Sequence, residues 1–212
     1  MRQPNAWGAP APVVRGRPLV LGLLGLVLAG SAHAWSLSVA AASSRVFLHV
    51  GTGTANANNP TVDRVTADLT PAELLARNPK VMTSSGMQSN SLSGDNFATC
   101  PTPSTQVLIG ASYRRNNNGQ GQAVLSVNAP ASLVSAAGDT IPISEISWTV
   151  SAPGSPVPGI IPAGTFSAGQ RQLATVPPNT FIENCHTFRY ANSAIRAAGT
   201  YTGVVTYTLS TP

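Results

Sequence analysis

Apolar and polar residues alternate most regularly near the end of this chain, between residues 200 and 209. Tyr201, Gly203, Val205, Tyr207 and Leu209 fall on one side of an extended backbone. Thr202, Val204, Thr206 and Thr208 fall on the other. Side chains of a strand point to opposite faces with a period of two, so this run predicts a β-strand with one face for a core. Its β-branched and aromatic content suits a pleated, half-buried surface. Ala198-Gly199 is the turn that leads into it. Residues 184–190, which include Cys185, predict a neighbouring strand.

The same period recurs upstream. Residues 35–41 (WSLSVAA) set Trp35, Leu37, Val39 and Ala41 on one face. Residues 44–50 set Val46, Leu48 and Val50 against Arg45, Phe47 and His49. Residues 61–69 predict a strand with Val65, Ala67 and Leu69 inward, and residues 80–83 a short one. Residues 105–113 and 122–128 flank a stretch rich in Asn and Gly that holds Arg114, Arg115 and Gly119. Asn-Gly between two alternating runs predicts a hairpin. Residues 141–151 predict a strand with Ile146, Trp148 and Val150 on its core face, and residues 165–166 and 170–176 are extended again. Helix is expected at 70–77, where Thr70 caps, Pro71 fits the first turn and Glu73 completes a capping box. A further helical turn is expected at 131–135. Residues 51–60 and 84–95 predict loops, and the Pro/Gly-rich residues 153–162 cannot form a central strand. The sum is about eight to ten short strands separated by turn signals, which predicts an all-β, antiparallel β-sandwich with one short helix at most.

The first 34 residues read differently. Arg2, Arg15 and Arg17 precede an apolar run at 19–29, and small residues at 31–34 follow it. That is the layout of a secretory signal peptide, with cleavage expected after Ala34 or, as an alternative, after Ala42. The apolar run is shorter than the roughly 18 residues a membrane-spanning helix needs. Residues 35–212 are therefore expected to be one exported domain, secreted, periplasmic or at the cell surface, with no membrane span after cleavage. Three of the twelve basic residues lie in the signal, leaving nine against seven acidic ones. So weak a positive balance predicts no nucleic-acid surface.

Export also changes the meaning of the two cysteines. In an oxidising compartment Cys100 and Cys185 are expected to pair as a disulfide. Neither has the spacing to a second cysteine or a histidine that a zinc site needs. Cys185 and His186 are adjacent, but neighbouring residues of a strand face opposite ways and do not make a nucleophile–base pair. His49 and His186 are expected to be surface or partly buried structural residues. Asp63, Asp68, Glu73, Asp95, Asp139, Glu145 and Glu183 are dispersed, so no carboxylate pair is visible. No phosphate-binding or calcium loop is present. Arg114 and Arg115 could contact a partner but are read as a solvated tip; Trp35, Trp148, Tyr113, Tyr190, Tyr201 and Tyr207 could line a sugar-binding face, but most sit in core registers and are read as core packing. No catalytic residue, metal site or cofactor is predicted.

The run AGTYTGVVTYTL at 198–209, the preceding Phe188-Arg189-Tyr190 and the N-terminal WSLSVAA resemble exported bacterial immunoglobulin-like surface proteins. The likeness is to spore coat U-like proteins and chaperone–usher pilus subunits. The chain departs from the pilus subunits in its late, widely spaced cysteines and long loops. The resemblance implies an immunoglobulin-like sandwich and a structural or adhesive role. For a pilus subunit it also implies an incomplete sandwich that another subunit's N-terminal strand completes. Trp35, Leu37, Val39 and Ala41 are the candidate donor positions, although the same segment also reads as the domain's own first strand. Expected partners are other subunits, a periplasmic chaperone or a surface glycan. The alternatives are a secreted carbohydrate- or surface-binding module and, further off, a hydrolase.

Overall fold

The computed structural model describes residues 35–38, 45–51, 63–88, 100–116, 121–151 and 161–212. Residues Met1–Gly30 separate from Ser31–Pro212, and the fold is that of the second unit. The expected signal peptide and its cleavage sites, Val39 and Ala41, and Asp95 lie outside the described residues.

The strands in chain order begin with β1 (Trp35–Ser38), β2 (Arg45–Val50) and the two-residue β3 (Val65–Thr66). Helix α1 (Pro71–Ala76) follows. Thr70 and Glu73 form the expected capping box, and Arg77 ends the helix in a left-handed conformation, φ 53°. Next come β4 (Lys80–Val81), β5 (Thr83–Ser84), β6 (Val107–Arg114) and β7 (Ala123–Ala129). The chain continues through β8 (Ser132–Ser135), β9 (Thr140–Pro142), a 3-10 turn at Ile143–Glu145 and β10 (Ile146–Ser151). It closes with β11 (Gly164–Thr165), β12 (Gly169–Val176), β13 (Thr180–Tyr190), β14 (Tyr201–Thr202) and β15 (Thr206–Ser210).

Two sheets make the body. The larger runs β11-β10-β13-β6-β2, with β1 and β4 also on β13; the smaller runs β12-β7-β15. Every pairing is antiparallel. Their facing side chains form one core that includes Ile109, Ala111 and Tyr113 of β6, Leu125 and Val127 of β7, Trp148 of β10, Val176 of β12 and Ile182 and Phe188 of β13. This is the all-β sandwich that alternation predicts. The central strands β6 and β13 are buried on their second face as well, at Leu108, Ser112, Phe181, Glu183 and Cys185. Strands covered on both sides lose the polar–apolar alternation and read as near-continuous apolar runs.

Four local expectations are corrected. The runs at 105–113 and 122–128 do not form a hairpin: β6 pairs with β13 and β2, and β7 with β12 and β15. The connection between them crosses from one sheet to the other, and it is longer than the two-residue turns an Asn-Gly hairpin uses. Residues 131–135 hold no helical turn, since β8 pairs with β9 around Gly138 at φ 88°. The run at 141–151 is broken by the 3-10 turn. The run at 200–209 is two strands: β14 pairs with β8, and β15 with β7. Gly203 lies in the break, where an added Cβ would come within 2.7 Å of Leu133 Cδ2.

Candidate strand-acceptor side

β2 ends the larger sheet and β15 ends the smaller one, and neither has a second neighbour among the described strands. The two approach each other across the gap between the sheets. Register assigns their side chains. Val46 and Leu48 stand opposite Tyr113 and Ala111 of the core, and Tyr207 and Leu209 opposite Val127 and Leu125. All four therefore occupy core positions. One strand inward those partners are buried. On the edge strands Leu48, Tyr207 and Leu209 pack against the core but, like Val205 just before β15, are only partly buried, and Val46 is 50 % exposed. A closed sandwich buries its core-register side chains. Here they are less completely covered along one side, between two strand edges that carry main-chain donors and acceptors. Burial pushes the Tyr207 hydroxyl well above its usual range, against the pull of nearby Arg171.

The N-terminal segment is placed elsewhere. β1 lies antiparallel on β13, with Trp35 opposite Glu183, Leu37 opposite Phe181 and Ser38 opposite Thr180. Two of the four candidate donor positions, Trp35 and Leu37, are thus in a strand of their own chain.

Candidate chemistry does not converge. Cys100 and Cys185 are joined, Sγ to Sγ 2.05 Å, so no described cysteine is a free thiol. His49 and His186 are not surface or partly buried residues as expected; they are 2 % and 0 % exposed. The reason is the double cover of the larger sheet. His49 faces the outer side, stacked on Phe47, and His186 faces the core between Trp148 and Phe188. The two rings therefore lie on opposite faces of one sheet. Burial lowers His49 to about 4, partly offset by a backbone hydrogen bond at Gly51, and lowers His186 to about 3. Both are neutral imidazoles at neutral pH. Among the described residues no three His, Cys, Asp or Glu side chains gather as a metal site.

Other polar groups are structural anchors. Glu145 accepts hydrogen bonds from the Ser193 amide (3.0 Å) and hydroxyl, with Arg196 4.0 Å away, and so ties the 191–200 loop to the 3-10 turn. Asn192 donates to the carbonyls of Glu73 and Asn78 and ties that loop to α1. Trp148, Tyr113 and Tyr190 are buried, as their register predicts; the Trp148 indole donates to the Pro162 carbonyl at 2.9 Å, and Arg171 stacks on its ring. Tyr201 and Tyr207 are only half-buried. Arg115 is not a bare loop tip: its guanidinium lies 5.9 Å from the Tyr113 ring centroid and its amide donates to Asn179 Oδ1.

The partly covered side between β2 and β15 was not legible in the sequence, because alternation identifies a core face and not which strand lies at an edge. The buried His49 and Glu183 were likewise missed. Both flank Gly110 in one cross-strand row, and a glycine inside a strand is the available signal for close approach there.

Comparison with protein-family models, with characterised proteins and with solved structures finds no match to this chain. Among the described residues no helix is long and apolar enough to cross a membrane.

Proposed function

We propose that this chain is an exported, immunoglobulin-like structural or adhesive surface protein of fimbrial-subunit type, assembling by strand addition between copies. One observation carries the reading: core-register side chains on β2 and β15 are only partly buried, and Val46 is half-exposed, between two strands that lack a second neighbour among the described strands. An extended segment laid between such edges gains main-chain hydrogen bonds, and its alternate side chains fill the apolar gap. Residues 35–41 of a second copy fit that role. Trp35, Leu37, Val39 and Ala41 recur at every second position, in a segment that follows the expected cleavage site.

Val46→Glu tests the reading. Val46 is half-exposed in the monomer, so the substitution should leave folding within about 0.5 kcal/mol of the parent, as at most surface positions. In the assembled state the carboxylate would be buried without a partner, at a cost of several kcal/mol. The expected outcome is a folded monomer whose assembly, followed by light scattering, is lost. Assembly equal to the parent's would show that this side accepts no strand.

A further inference from the structure

One edge of β13 is shared between two strands. β10 covers it from Cys185 to Tyr190, and β1 covers it from Thr180 to Glu183. The opposite edge is taken by β6 and β4. Without β1, the edge of β13 at Thr180–Glu183 would lack its neighbour, and an uncovered edge is a template for pairing with another chain. The positions opposite β1 include Phe181, Ile182 and Glu183, all buried.

The segment that closes this gap is the same one that carries the donor pattern, and it cannot fill both places at once. Among the described strands β1 pairs with β13 alone, over four residues. Segments held by so few contacts open at the low end of the local stability range. Once released, residues 35–44 precede β2 as an arm of at most roughly 33–36 Å, its first seven residues the donor and the last three the link to β2. We infer that the chain stores its own donor segment in cis on β13, and that this contact holds back assembly until the segment leaves. The inference rests on the strand-addition reading and adds its regulation.

Locking the segment in place tests it. Ser38 and Thr180 are direct cross-strand neighbours. Cβ atoms in such pairs lie about 4.5–5.5 Å apart, close enough for an engineered disulfide after small adjustments. The double variant Ser38→Cys/Thr180→Cys in the full chain should form that link in the oxidised monomer. It should then assemble at least ~10-fold more slowly than the parent, one decade in rate being a decisive margin. Mild reductant should restore the rate, while the native Cys100–Cys185 pair is shielded by burial. Locked protein assembling at the parent rate would overturn the inference. A link that fails to form in folded monomer would also overturn it. Amide exchange on the unaltered monomer gives a reading free of the cysteines. Residues 36–38 should exchange at least ~10-fold more slowly than in an unstructured peptide, and free-peptide exchange would reject storage on β13. If Val46→Glu blocks assembly while the lock does not, storage fails and strand addition stands. If neither affects assembly, both fail.

Discussion

At the scale of single residues, burial decides what His49 and His186 do. A neutral imidazole is tolerated in an apolar surround and an imidazolium is not, so both groups sit well below their ordinary 6.5. Between about 6.5 and 3 the unfolded chain binds more protons than the folded one, and stability therefore falls as pH falls through that window. Denaturant midpoints should be level above pH 7 and drop steadily towards pH 4. His186→Phe should flatten part of that acid limb, and a midpoint unchanged from pH 7 to 4.5 would show that the rings are not held neutral. Trp148 has the opposite character: it is apolar, 2 % exposed, and packed on Phe166 at 4.6 Å. Trp148→Ala should cost about 3–5 kcal/mol in denaturant unfolding. Trp148 could be read in the sequence from its place between Ile146 and Val150. The depth of the histidines could not, since a histidine beside Arg45 and Phe47 looks the same whether its face is covered or wet.

Among the elements, β13 ties the structure together. It pairs with β1, β10, β6 and β4, and its Cys185 is bonded to Cys100, a separation of 85 residues. Closing so long a loop restricts the unfolded chain, and the double variant Cys100→Ser/Cys185→Ser should lose up to about 4–5 kcal/mol of unfolding free energy. Non-reduced peptide mapping of the parent should find the linked pair, and a variant as stable as the parent would remove the bridge from the account. Strand-forming stretches were mostly legible in the sequence, as were the short helix with its cap and the cysteine pairing. What joins what was not. The Asn-Gly between the stretches forming β6 and β7 looked local, but both strands find better-covered positions in different sheets. The C-terminal run looked continuous, yet it divides at Gly203, where Leu133 leaves no room for a side chain. Tertiary packing overrides local pattern at such points, because long-range neighbours set burial and pattern reports only face.

For the whole molecule, the bridge from Cys100 to Cys185 governs how the domain behaves under load. In the strand-addition assembly proposed above, a subunit would be stretched between the strand it donates and the strands that grip its neighbour. Tension entering near Trp35 and leaving near Pro212 can unravel only the parts of the chain outside the bridge. The 85 residues within it stay out of the force path. That shortens the attainable extension by about 300 Å per domain, at roughly 3.3–3.6 Å per residue. In single-molecule pulling the parent should show an unfolding step limited to the residues outside the bridge. Cys100→Ser/Cys185→Ser should lengthen that step by about the same 300 Å, and equal steps would mean the bridge bears no tension. In the filament proposed above, each domain would therefore release only about half of its contour under load, the rest held back as a closed loop.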